Sequence, residues 1–142
     1  MRGLNDVSAS VTACGVVRQT YQLLIVLPRS RRVTVGRLGV FDFPAGAYVY
    51  TGSAKRNMDA RIRRHLAGDK TLRWHLDYLT TLSDVSVREI GRYTAPECEI
   101  NRLVAGVVVA DGFGASDCRH GCGSHLKYLG EVLAVSRQPA PR

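Results

Sequence analysis

Ala47-Tyr48-Val49-Tyr50-Thr51-Gly52-Ser53-Ala54-Lys55-Arg56-Asn57-Met58-Asp59-Ala60-Arg61-Ile62-Arg63-Arg64-His65-Leu66 is the stretch on which the fold turns. It opens with alternating aromatic and β-branched residues, the pattern of a half-buried strand, and breaks at Gly52-Ser53. Met58, Ile62 and Leu66 then recur every four residues, which predicts a helix with one apolar stripe. A strand that ends in glycine and feeds an Arg/His-rich helix gathers polar groups at one edge of a sheet.

The surrounding 142 residues suit one domain with a real core. Apolar residues make up 45% and charged residues 23%, values of a globular rather than a disordered chain. The net charge of +8, mostly arginine, points to an anionic partner, nucleic acid first. No apolar run is long enough for a transmembrane helix, and Met1-Arg2-Gly3-Leu4-Asn5-Asp6 lacks the apolar core of a signal peptide. The cytoplasm is the expected location. There the four cysteines are expected as thiols or metal ligands rather than disulfides.

Outward from the opening stretch, residues 1–15 read as a flexible leader, 16–135 as a single domain and 136–142 as a disordered tail. Val16 to Leu27 is a strand stopped by Pro28, expected antiparallel to Ala47–Thr51. Val33–Val35 and Leu38–Phe41 are accessory strands around Gly36. Leu72 to Leu79 is a second helix with Leu72, Leu76 and Leu79 buried. Val85–Ile90 is a third core strand. A third helix runs from Thr94, as N-cap, to about Val109, and His125 to Val135 closes the domain as a strand. The fold class is α/β in the layered α+β sense: a small, mostly antiparallel sheet of three core strands plus accessory strands, flanked by about three helices.

Strand, strand, helix, helix, strand, helix, with Tyr50-Thr51-Gly52-Ser53-Ala54-Lys55 closing a strand and Arg61 and His65 on the next helix, resembles the GIY-YIG nuclease superfamily. Trp74-His75-Leu76-Asp77-Tyr78-Leu79 and the segment from Ser116-Asp117-Cys118 to Ser124-His125-Leu126 are similar to its uncharacterised Uri-type endonuclease branch. The first motif tripeptide departs from the pattern, as Gln19-Thr20-Tyr21, and the second carries threonine at its centre. The resemblance implies a metal-dependent endonuclease that hydrolyses DNA phosphodiester bonds. Tyr21 and Tyr50 would line the active site, one helping to activate water, and a carboxylate on the third helix would hold Mg²⁺ or Mn²⁺.

Read as chemistry, Arg61 and His65 share a helix face four residues apart, on the flank of the apolar stripe. Arg61 can stabilise negative charge on a scissile phosphate, and His65 can relay a proton or orient a tyrosine or water. Tyr48 shares a sheet face with Tyr50 and is assigned to packing. Glu97 and Glu99 are the carboxylates of the third helix. On a wheel where Ile100, Val104, Val107 and Val108 form the buried arc, Glu97 falls inside it and Glu99 opposite. Glu97 is therefore the candidate metal ligand, with a Thr94–Glu97 capping box as the competing use. His75 and Asp77 are candidates for supporting positions behind the site.

Lys55, Arg56, Arg63 and Arg64, with Arg31, Arg32 and Arg73, would contact the DNA phosphate backbone. Cys118, His120, Cys122 and His125, with Cys98 a possible neighbour, have the ligand types of zinc but not a standard spacing. Two other readings stand beside the nuclease: a nucleic-acid-binding module that keeps the fold without the chemistry, and a zinc-stabilised interaction domain.

Overall fold

A computed structural model describes residues 17–115, 118 and 120–131. The expected leader and tail, and Ser116 and Asp117, lie outside the described residues. The described residues form six strands and three helices in the order β1 (Thr20–Leu27), β2 (Arg31–Val35), β3 (Gly39–Phe43), β4 (Gly46–Ser53), α1 (Met58–Leu66), α2 (Asp77–Thr80), β5 (Ser86–Tyr93), α3 (Glu97–Arg102) and β6 (Leu126–Gly130). The main sheet has the order β5-β1-β4-β6 with every pair antiparallel, and β2-β3 forms a separate hairpin. This is an α+β fold. The central sheet gains a fourth strand because β6 joins it beside β4.

β1 and β4 lie in the middle of the sheet and read as such, since both are buried over most of their length. Tyr21 opposes Gly52, Leu23 opposes Tyr50 and Ile25 opposes Tyr48, so these six share one face. That face enters the core with Ile62, Leu76, Leu79, Phe43 and Phe113. Tyr48 belongs entirely to this packing: it is fully buried, donates its hydroxyl to the Pro44 carbonyl at 2.6 Å and stacks on Tyr128 at 4.9 Å.

Asn57 turns the chain from β4 into α1 by adopting a left-handed φ of 54°, a conformation that asparagine tolerates better than most residues. Arg63, Arg64 and His65 fall in the last turn of α1, and Lys70 Nζ caps it by donating to the Arg64 and His65 carbonyls, each at 2.8 Å. The helix is rotated from the expected stripe. Leu66 is exposed, while Ile62 and His65 are the buried pair.

The other two helices are shorter than the periodicity suggested. Leu72 is exposed, and α2 is a single turn over Asp77–Thr80. α3 ends at Arg102 rather than near Val109, and Val107 and Val108 are exposed. Gly106 and Val107 explain the early stop: Val107 bridges to Tyr128, and a Cβ at Gly106 would stand 2.8 Å from the Tyr128 carbonyl oxygen. Backbone pairing with β6 has displaced helix continuation. Among the described residues no helix is long and apolar enough to cross a membrane.

Candidate active site and metal centre

The glycine end of β4, the inner face of α1, the turn before α2 and the start of α3 converge on a cleft of about 260 Å³. Tyr21, Tyr50, Arg61, His65, His75 and Glu97 all line it, so six residues singled out in the sequence are brought together. Gly52 makes the meeting of the tyrosines possible. A Cβ there would stand 2.6 Å from the Tyr21 ring and hydroxyl and 2.9 Å from the Tyr50 ring. The ring centroids of the two tyrosines are 6.4 Å apart.

Tyr21 Oη and His65 Nε2 are 2.8 Å apart in a fully buried hydrogen bond. His65 is not on a flank, as its position in the stripe suggested, but in the middle of the helix's buried face and only 1% exposed. Its Nδ1 has no hydrogen-bond partner among the described residues. Burial, and then the positive field of Lys70, pushes its pKa down from 6.5 to about 4, so the ring is neutral at physiological pH. Burial likewise raises the hydroxyl pKa of Tyr21 and of Tyr50, the charge of Glu97 adding to both shifts. Neither phenol is ionised in the resting site.

This predicts an acid-sensitive fold. Because the folded pKa of His65 lies below the unfolded value, its contribution is fully present above pH 6.5 and is lost as pH falls from 6.5 towards about 4. The full loss is roughly 3 kcal/mol, from about 1.4 kcal/mol per unit. Urea melts across this range should show a shallower pH dependence in His65→Gln than in the native chain. Identical slopes would exclude His65 as the source.

Arg61 reaches the cleft from α1, with its guanidinium donating to the Ser53 carbonyl at 3.1 Å and lying 4.9 Å over the Trp74 ring. Trp74, not assigned a role from sequence, lines the same cleft and packs against His65 at 5.3 Å. Its sequence signals are that it is the one tryptophan in the chain and that it opens the Trp74–Leu79 motif. His75 accepts the Gly114 backbone N–H at Nδ1, 2.9 Å away, which holds Gly114 at the cleft wall.

Asp77, expected in a supporting position, lies behind the cleft: it is wholly buried and accepts from two Arg64 guanidinium nitrogens at 3.0 Å and from the backbone N–H groups of Arg73 and Trp74 at 2.7 and 2.8 Å. Burial pushes its carboxyl up, but these donors outweigh burial and hold it below the ordinary value of 3.8. Arg64 is consequently committed to Asp77, the Thr71 carbonyl and the Trp74 ring, rather than free for a phosphate backbone. Arg31 is similarly paired with Asp84, and Arg32 with Asp42. Lys55, Arg56, Arg63 and Arg73 are exposed, and Arg73 lines the cleft.

Glu97 lies at the first residue of α3, and Pro96 rather than Thr94 is the N-cap, with no side-chain cap. The capping box fails because Thr94 lies two residues before the N-cap. Glu97 Oε2 instead meets His125 Nδ1 at 2.8 Å. On the far side of that imidazole, Nε2 faces the thiol of Cys98 at 3.9 Å. Cys98, Cys118, Cys122 and His125 place one ligand atom each within 4.8 Å of one another, a set that can hold a metal ion. The set that converges differs from the sequence set of Cys118, His120, Cys122 and His125: Cys98 joins it from α3, and the exposed His120 lies beside it with Nδ1 3.6 Å from Cys98 Sγ. A backbone N–H from His120 lowers the Cys118 thiol pKa and favours its thiolate, the form that binds metal.

No curated protein and no solved structure matches the chain. A family model does, over residues 20–139, which takes in every element of the cleft and the thiol cluster. The chain therefore belongs to the family described as domain of unknown function DUF123.

Proposed function

We propose that this protein is a metal-dependent endonuclease that hydrolyses DNA phosphodiester bonds, as a GIY-YIG-like member of its family. The observation that supports this most directly is the joint placement of Tyr21, Tyr50, Arg61, His65 and Glu97 around one cleft. A buried neutral imidazole is a poor place for a proton, so His65 serves to fix the Tyr21 hydroxyl, leaving the phenol oxygen to orient an attacking water. Arg61 faces the charge that develops on the phosphate. Exposed Lys55, Arg56, Arg63 and Arg73 hold the backbone on either side without reading bases.

Among the described residues only Oε2 of Glu97 is engaged, and a single carboxylate suffices for a hard cation that keeps most of its waters. Bound there, Mg²⁺ or Mn²⁺ would supply positive charge to the phosphate and the leaving oxygen. Nicking of supercoiled plasmid in Mg²⁺ is the test, followed by flap and junction substrates. Arg61→Ala is expected to cut about 10²-fold more slowly, as for loss of one transition-state donor, and Tyr21→Phe and Glu97→Gln are also expected to lose cleavage. Undiminished cutting by folded variants would reject this site.

The commitment of Glu97 to His125 favours one other reading, a DNA-binding domain without cleavage. It requires salt-dependent binding with no nicking in either metal.

A further inference from the structure

Three thiols and an imidazole from two distant parts of the chain do not converge by packing alone. Cys98 is on α3, twenty residues before Cys118, and its sulfur lies 3.5 Å from that of Cys118. All three described cysteines are free, so no disulfide accounts for the approach. A tetrahedral zinc ion with Zn–S bonds of about 2.3 Å has S···S edges of about 3.8 Å and slightly shorter S···N edges. The 3.5 Å Cys98–Cys118 separation is slightly shorter than such an S···S edge and the 3.9 Å separation of Cys98 Sγ from His125 Nε2 slightly longer than such an S···N edge, so a small adjustment brings both to it.

The loop is bent to suit. Gly121 and Gly123, on either side of Cys122, have φ of 72° and 80°, and a Cβ would meet nothing at either. Space does not demand glycine at these two positions; the left-handed backbone does, and it returns Cys122 to the cluster. His125 presents the right edge to a metal: Nδ1 is 2.8 Å from Glu97 Oε2, which leaves Nε2 on the side of the thiols as the nitrogen a metal would take. Three soft thiolates and one imidazole suit zinc and not Mg²⁺.

We propose that Cys98, Cys118, Cys122 and His125 hold a structural zinc ion, and that this ion, through His125, fixes Glu97 at the wall of the cleft. The zinc ties α3 to the loop ahead of β6, and Glu97 is the carboxylate behind its histidine. Glu97 thus belongs to both centres. The effect on cleavage rests on the nuclease reading; the zinc site does not.

Metal analysis of the purified full chain should find one zinc per chain, and replacement by Co²⁺ should give thiolate-to-cobalt charge-transfer bands with the intense visible bands of a tetrahedral ion. Cys98→Ser should weaken the charge-transfer bands and His120→Ala should leave them unchanged. Chelator competition should show Glu97→Gln binding zinc about 10–100-fold more weakly, the usual cost of losing a ligand's supporting partner. A chain that neither carries zinc nor gives thiolate bands with Co²⁺ would overturn the site. Unchanged zinc affinity in Glu97→Gln would overturn the link to the cleft. Stoichiometric zinc in a protein that cuts no DNA would leave the site standing and defeat only the nuclease reading.

Discussion

Asp77→Ala is expected to destabilise the domain by about 3–5 kcal/mol, the range for removing one partner of a buried ion pair. Four donors converge on this carboxylate, and its own exposure is nil. Its removal leaves the Arg73 and Trp74 N–H groups without an acceptor and Arg64 without its counterion. Lys70, 4.0 Å away and 5% exposed, loses its nearest negative charge as well. Urea unfolding should show a lower midpoint with an unchanged slope. Asp77→Asn, which keeps an acceptor oxygen, should recover part of the loss. Because the folded carboxyl titrates below 3.8, its contribution is present above that value and is lost as pH falls further. The deficit of the alanine variant should therefore persist from pH 7 to 4 and narrow only below it. A deficit under 1 kcal/mol at pH 7 would mean that Arg64 and the two N–H groups find water instead.

Gly52→Ala should damage the site at its narrowest point. The added methyl would stand 2.6 Å from the Tyr21 ring and hydroxyl and 2.9 Å from the Tyr50 ring, so both rings must move. Neither has much freedom: Tyr21 is 1% exposed and hydrogen-bonded to His65, which is itself buried. Overpacking of this kind costs about 1–3 kcal/mol. A displacement of the tyrosines by about 1 Å is enough for a 10²-fold loss of catalysis. The expected result is a folded protein, with the antiparallel β1–β4 pairing retained, whose plasmid nicking is about 10²-fold slower. Wild-type cutting by Gly52→Ala would show that the convergence of the tyrosines is not used in the reaction.

The elements that could be read from sequence are those whose pattern is local. Tyr21–Leu27 and Ala47–Thr51 carry continuous strand signals because they form the two central strands, and both tyrosines follow from the alternation. The helix after Gly52 was legible for the same reason, yet its rotation was not. A polar His65 buried at the position where a stripe model expects Leu66 is stable only because Tyr21 arrives from another strand to bond it. The overextended third helix has a similar cause: Val104, Val107 and Val108 have helical spacing, but Val107 pairs with a strand twenty-one residues later. The thiol cluster was only partly legible. Spacing grouped the four residues from Cys118 to His125, whereas Cys98, which completes the cluster, comes from α3, twenty residues before Cys118.

Trp74 lies under two guanidinium groups, Arg61 at 4.9 Å and Arg64 at 4.5 Å, with the His65 ring at 5.3 Å. It is the one tryptophan in the chain. The chain's single indole therefore sits in the cleft and nowhere else. A polyanion that draws Arg61 off the indole, or a proton that reaches His65, alters its emission directly, whereas changes at the far edge of the sheet do not. Light emitted from this protein on excitation of tryptophan is a readout of the cleft alone, recorded without a label.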